Sequence, residues 1–385
     1  MDYDLGENAG QLRLHLRELI ATHMPDDFIG ACTDDPDDLA TTQRFCKVLA
    51  GEGLLARAWP VEFGGSGSVW EQTVVREEMW AHDEPRGPQY VGINWVGPAI
   101  MRFGTEEQRA QHLPAIAAGD VIWCQGFSEP DAGSDLASLR TRAVPDADGW
   151  RITGQKIWTS YALMAQWLIV AARTSVERTK QAGITMFLVP MDREGILARP
   201  IDSMLGPHHL NELFLDDVRA EAGEVLGEVG RGWQVIRDAL AFERVGIARY
   251  ARCDRLLALV RDALADRWDD LPTSVRTRWL QARINVRIAR LLAYHTVDAQ
   301  ARGVVTDADA SVARIAATTC DQSVAELLFE LLGPQALDDG TSSAAILHGA
   351  IEDHWRYAQA ATVASGTIEI QRMLVSRAAL NGARG

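Results

Sequence analysis

The stretch from Cys124 to Ser160 limits most strongly what this chain can fold into. It opens CQGFSEPDAGSD, continues LASLRTRA, and closes GWRITGQKIWTS. Glu129-Pro130-Asp131-Ala132-Gly133-Ser134-Asp135 gathers Pro, Gly and two Asp into one short run, which forbids regular structure there. Loops of this kind expose backbone N–H groups and hydroxyls that cradle oxygen-rich ligands. The second half alternates polar and apolar residues around Trp150, Ile152, Ile157 and Trp158. That pattern predicts strands joined by turns at Asp148-Gly149 and Thr153-Gly154. A binding loop followed by a hairpin carrying Trp158, Thr159 and Ser160 suits a β module that holds a flat, polar-edged ligand.

On either side the period changes. Residues 1–120 read as helices, with apolar faces such as Leu12, Leu16, Leu19 and Ile20, a second helix over Leu39–Glu52, and others from Val69 to His82 and Val91 to Phe103. Thr105 before two Glu predicts an N-cap. Apolar runs at Trp167–Ala172 and Ile184–Val189 have the length of buried strands, and from Gly232 the chain is again helical. The expected fold is therefore α+β and multi-domain. It has an N-terminal helical domain over 1–120, a middle β-barrel or β-sandwich domain over 121–228, and a C-terminal domain over 229–385 resembling a four-helix bundle. At 385 residues the chain exceeds what one core supports.

A net charge of −15 argues against a nucleic-acid surface and against unaided docking on anionic lipid. No run reaches the roughly 20 apolar residues of a membrane span, and MDYDLGENAG has no signal-peptide character. Five scattered cysteines without metal-type spacing point to a reduced, cytoplasmic protein with no structural metal.

The run CQGFSEPDAGSDLASLRTRA followed by GQKIWTS closely resembles the flavin-binding middle domain of the acyl-CoA dehydrogenase family, and the order helices, β module, helical bundle is that family's order. The resemblance implies an FAD enzyme that removes the α-proton and the β-hydride of an acyl-CoA thioester, with an electron-transfer flavoprotein as acceptor. By the same carry-over Ser128 stands beside the flavin ring, with Gln125 and Phe127 as neighbouring backbone contacts. Trp158 matches the aromatic packed on the flavin, Ser160 the hydroxyl near its N5, and Ser134 a residue that touches the thioester. A strand Trp is ordinarily core; it is the whole constellation at this spacing that implies flavin.

Two departures sharpen the reading. Most members carry the base as Glu in Tyr-Glu-Gly-Thr near the C-terminus. Here the run is Val363-Ala364-Ser365-Gly366-Thr367, and serine has no basicity of its own. A minority branch places the Glu before an Arg on a C-terminal-domain helix, which Glu243-Arg244 matches. The resemblance thus implies Glu243 as base, Arg244 beside the substrate, and N–H groups around Ser365 and Gly366 as donors to the thioester oxygen. A carboxylate on an apolar helix face is desolvated toward a useful basicity; the alternative is an ordinary salt bridge.

The second departure concerns the ADP half of FAD, which homotetrameric members clamp with a neighbour's Arg-x-x-Phe-Gly and Gln-x-x-Gly-Gly-x-Gly segments. This chain has Asp266-Arg267-Trp268-Asp269-Asp270 and Glu330-Leu331-Leu332-Gly333-Pro334-Gln335-Ala336. Pro blocks close backbone approach and removes a donor. The implied assembly is α2β2 with an unlike subunit, as in members acting on steroid side-chain CoA thioesters, a branch that His208-His209 also resembles. Two alternatives keep the fold: a flavin oxidase or monooxygenase, separated by how fast reduced flavin meets oxygen, and a non-catalytic partner subunit, against which Glu243, Arg244, Ser128 and Ser134 argue.

Overall fold

The computed structural model describes residues 5–30, 35–66, 68–205, 209–237, 248–340 and 345–382. They pack as two compact units, one from Met1–Gly30, Ser68–Pro85 and Arg244–Gly385, the other from Ala31–Gly67 and Arg86–Glu243.

The first unit is helical. Helix Gly6–His23 lies against Val69–Ala81, and long helices run over Arg249–Ala263, Thr273–Ala301 and Asp307–Leu332, followed by Ala350–Ala360 and Ile368–Gly382. Side-chain caps set two of their starts. Ser68 accepts from Glu71 N–H, and Thr306 forms a reciprocal box with Asp309. Inside the unit, Glu77 is buried yet well supplied, because Tyr250 and Tyr294 donate to its Oε1 at 3.0 and 2.9 Å and Arg13 and Arg290 supply charge. A buried carboxylate is tolerated only with such company.

The second unit contains the sheet. Its described strands are β1 (Trp123–Gly126), β2 (Arg142–Asp146), β3 (Gly149–Ser160), β4 (Trp167–Arg173), β5 (Ile184–Pro190), β6 (Ile196–Pro200), β7 (Leu210–Glu221) and β8 (Val225–Leu226). They run in the order β6-β7-β3-β2-β4-β5-β8, with β1 parallel to β4. β2 and β4 meet through the single pair Arg142↔Arg173. The antiparallel group β6-β7-β3-β2 and the group holding β1, β4 and β5 therefore behave as two leaves. Ile152, Leu213, Leu215 and Val218 from one leaf share a core cluster with Cys124, Leu168, Val170 and Phe187 from the other. Thr105 caps helix Glu106–Ala117 in a box with Gln108, as its spacing predicts, and Gln108 also donates to the carbonyls of Gly223 and Val225 at 2.8 and 2.9 Å.

Two local expectations are corrected. Thr153-Gly154 is no turn, because β3 runs unbroken through it. At that point β7 carries an extra residue, the register moving from Ile152↔Val218 to Gly154↔Leu215. The stretch 91–103 is not one regular helix either, since a π turn occupies Gly92–Val96 before helix Gly97–Phe103. Trp59 is packed against this turn: its Nε1 donates to Ile93 C=O at 3.1 Å, and a Cβ on Gly97 would lie 2.2 Å from its ring.

Candidate active site

A bulge shapes the stretch that carries Trp158 and Ser160, within the second unit. Between Lys156↔Leu213 and Thr159↔Asn211, β3 carries one residue more than β7. Freed from the ladder, Ile157 N–H turns away and donates to Ser128 C=O at 3.0 Å. Trp158 takes φ +61°, a left-handed value costly for a large side chain, and is 54% exposed on an otherwise half-buried strand. Bulges re-aim side chains in this way. Tyr161, three residues on, is also left-handed at φ +62°. The corner is pinned by Asn211 Nδ2, which donates to Thr159 and His209 carbonyls at 3.1 and 3.0 Å.

The structure thus brings Ser128 beside the Ile157-Trp158 bulge. Phe127 is buried, and its carbonyl accepts from Lys156 Nζ at 3.1 Å. Gln125 pairs along the backbone with Ile169, and Ser160 with Leu210. Among the described residues the Ser128 hydroxyl and N–H have no partner. Ser134 is exposed in the loop beyond, where Glu129 and Ala132 close a tight turn on each other and Asp135 pairs with Lys180 at 2.8 Å.

Beneath the loop lies a buried ion pair that sequence reading missed. Lys156, fully buried, donates to Glu129 Oε1 at 2.8 Å, while Glu129 also accepts from Arg140 and Thr141 N–H at 2.6 and 2.8 Å. Burial pushes the Lys156 ammonium down to about 8 against the opposing charge of Glu129. For Glu129, burial alone would raise the carboxyl, but the Lys156 charge and the three donated hydrogen bonds hold it below its ordinary value.

In the first unit, Ser365 and Gly366 form a left-handed turn, φ +59° and +89°, ahead of helix Ile368–Gly382. Its carbonyl side is spoken for. Buried Gln371 donates to Gly366 C=O at 3.2 Å and is itself held by Ser311 Oγ at 2.8 Å, and Arg314 donates to Ala361 and Ala364 carbonyls at 3.1 and 3.0 Å. Glu243, Arg244 and His208 lie outside the described residues. His209 is buried against Tyr161, not the surface residue that a loop His suggests.

Helices of the first unit also bring the ligand atoms of Cys253, Asp321 and His354 within 4.8 Å of one another, all buried. The surrounding charge opposes a metal ion. Arg249 lies 2.5 Å from Asp321, and burial together with Arg252 and Arg249 pushes His354 well below its ordinary value. Burial, with Cys320 and Asp321 adding to it, keeps Cys253 a thiol.

Comparison with known proteins settles the family. Three family profiles match in order: acyl-CoA dehydrogenase, N-terminal domain, over 8–120; middle domain over 124–218; and C-terminal domain over 230–380. Acyl-CoA dehydrogenase IpdE1 of Mycolicibacterium smegmatis is 33% identical, covering 96% of this chain and 97% of its own. The chain belongs to the acyl-CoA dehydrogenase family. Acyl-CoA dehydrogenase FadE26 of Mycobacterium tuberculosis is likewise 33% identical over 96% of each chain. Among solved structures, the Tcur3481-Tcur3483 steroid ACAD superposes with a TM-score of 0.92 at 32% identity over 99% of both chains. The ChsE4-ChsE5 complex from Mycobacterium tuberculosis gives 0.88 at 31% over 99% of both. The protein is accordingly an oxidoreductase acting on acyl-CoA, in a family that is generally FAD-dependent.

Proposed function

We propose that the chain is the base-carrying subunit of a heteromeric, FAD-dependent acyl-CoA dehydrogenase that desaturates a CoA thioester of steroid side-chain type. The observation that carries this reading is the β3 bulge, which turns Trp158 out of the sheet beside the unpartnered Ser128 hydroxyl and N–H. A protein gains nothing in stability from a left-handed, half-exposed Trp; a flat, polar-edged ligand accounts for it. Gln125, Phe127, Ser128, Trp158 and Ser160 would hold the flavin, which supplies the acceptor for the substrate's β-hydride.

This chain's own residues supply the rest. Glu243 takes the α-proton, Arg244 and Ser134 contact the substrate, and N–H groups at Ser365 and Gly366 donate to the thioester oxygen as negative charge grows there. The hydrogen bonding of the turn supports that last role, because its carbonyls are engaged while the Gly366 N–H has no acceptor among the described residues. An electron-transfer flavoprotein is the proposed final acceptor, and 1–120, 121–228 and 229–385 the proposed division of labour.

Three further observations support an unlike partner. Trp268 is buried edge-on to Trp279 and under Arg261, so the segment that would offer Phe-Gly to a neighbour is packed inward. Glu330, in the last turn of helix Asp307–Leu332, is tied to Arg278 of its own chain, and Pro334 follows in a short 3-10 turn. Leu280, Ile284, Ile288 and Leu291, each about half exposed, form one apolar stripe along helix Thr273–Ala301, which suits a contact face. The test is to produce the chain alone and together with an unlike acyl-CoA dehydrogenase subunit. The isolated chain is expected to hold little FAD, and the pair to form a yellow complex active on such thioesters with an artificial acceptor. Full FAD occupancy and turnover by the isolated chain would overturn the heteromer.

A further inference from the structure

We propose that Lys156 and Glu129 are positioning residues: they lock the backbone of residues 127–129 so that Ser128 is left with its hydroxyl and N–H free for the flavin. The proposal rests on the reading that flavin binds beside Ser128. Three consecutive residues are fixed by three separate hydrogen bonds. Phe127 C=O accepts from Lys156 Nζ at 3.1 Å, Ser128 C=O from Ile157 N–H at 3.0 Å, and the Glu129 carboxylate from Lys156 Nζ at 2.8 Å. Glu129 then ties the same loop to the start of β2 through the N–H groups of Arg140 and Thr141. One carboxylate thereby joins the loop, β2 and β3, and the free groups of Ser128 are what remains.

The attraction between the two charges does not by itself explain the arrangement. A buried ion pair roughly breaks even against apolar side chains of the same volume, since desolvation cancels the attraction. Glycine inside a strand also weakens it, yet two glycines make room for this pair. A Cβ on Gly126 would sit 3.3 Å from Lys156 Cγ and 3.1 Å from Leu168. A Cβ on Gly154 would sit 2.4 Å from Thr141 Oγ1 and 2.7 Å from Thr141 Cα, pushing away the N–H that Glu129 receives. Sequence economy here favours geometry over stability, and the geometry concerns the one loop carrying Ser128. Apolar replacements would fill the space but give Phe127 C=O and the Arg140 and Thr141 N–H groups no partner, so the loop would lose its register.

The experiment compares the full chain with Glu129→Met/Lys156→Met and with Glu129→Asp. Melting temperature, amide hydrogen exchange of peptides spanning 125–142, and FAD affinity from quenching of free-flavin fluorescence are read on each, the last in the presence of the co-produced partner. The double variant removes both buried charges but leaves three backbone groups unpaired, so its melting temperature is expected to fall by several degrees with a single cooperative transition retained. Exchange at Arg140 and Thr141, whose N–H groups lose their acceptor, should quicken, and FAD binding weaken, each by about tenfold or more. Glu129→Asp keeps the charge but is one methylene too short to reach both Lys156 and the β2 N–H groups. It should weaken FAD binding similarly with the fold intact. Either variant showing wild-type exchange and wild-type FAD affinity overturns the proposal. Should wild type itself take up no FAD in the complex, the flavin reading fails while the exchange comparison still decides whether the pair locks the loop.

Discussion

Asp321→Asn would test how the helical unit tolerates its buried charge. Arg249 is buried at 2% exposure, and its guanidinium lies 3.9 Å from the Tyr357 ring centroid. Asp321 is 2.5 Å from its Nε, too poorly aligned for a hydrogen bond, and Nη1 and Nη2 find no acceptor. The Asp321 charge is therefore the main compensation for the Arg249 cation, the ring adding about 2 kcal/mol that survives the substitution. Leaving one charge of a buried pair uncompensated costs about 3–5 kcal/mol. Unfolding entropy of ~2.1 cal/mol/K per residue over 385 residues converts that to a fall of ~4–6 °C in melting temperature, read by scanning calorimetry. Asp321→Leu combined with Arg249→Met removes both charges and should recover most of the loss. An unchanged melting temperature for Asp321→Asn, or a double variant that melts lower than the single, would refute the reasoning.

Trp158→Ala should behave in the opposite way, losing little stability because the side chain is already half exposed and strained, while weakening FAD binding by about tenfold, a stacking contribution of ~1.4 kcal/mol; fluorescence quenching and a thermal melt separate the two. Acid should destabilise the sheet unit through His112, which burial, edge-on against the stacked Trp123 and Trp167 rings, pushes down to about 4. The unfolded chain takes up that proton near pH 6.5 and the folded one only near 4, so stability is full above 6.5 and falls as pH drops between the two. The loss is on the order of 2 kcal/mol. His112→Phe should flatten this part of the pH–stability curve measured by urea titration, and an unchanged slope would contradict the assignment.

Much of the fold was legible because it is local. The Thr105–Gln108 box, the helix over Val69–Ala81 and the continuous apolar strands β4 and β5 each follow from a handful of adjacent residues. What was missed depends on partners distant in sequence. Thr153-Gly154 carries turn chemistry, but the glycine serves a close approach to Thr141 and a register shift against β7. Lys156 reads as a surface strand residue until Glu129, from a loop 27 positions earlier, is placed against it. The π turn at Gly92–Val96 packs on Trp59, more than thirty residues upstream. Of the proposed site, Ser128 and Trp158 were singled out through the family resemblance. The strained bulge that turns Trp158 outward was not, because a period of two cannot distinguish a strand from a strand with one extra residue.

The central claim is that this chain supplies the base for α-proton removal, from Glu243. Its most direct measurement is anaerobic mixing of the FAD-loaded complex with a steroid side-chain CoA thioester, following the flavin's visible absorbance, for wild type and Glu243→Gln. The account predicts rapid bleaching in wild type and, in Glu243→Gln, retained flavin and retained thioester binding with bleaching slowed by at least ~10³-fold, within the range general-base catalysis supplies. Bleaching at the wild-type rate in Glu243→Gln would contradict it.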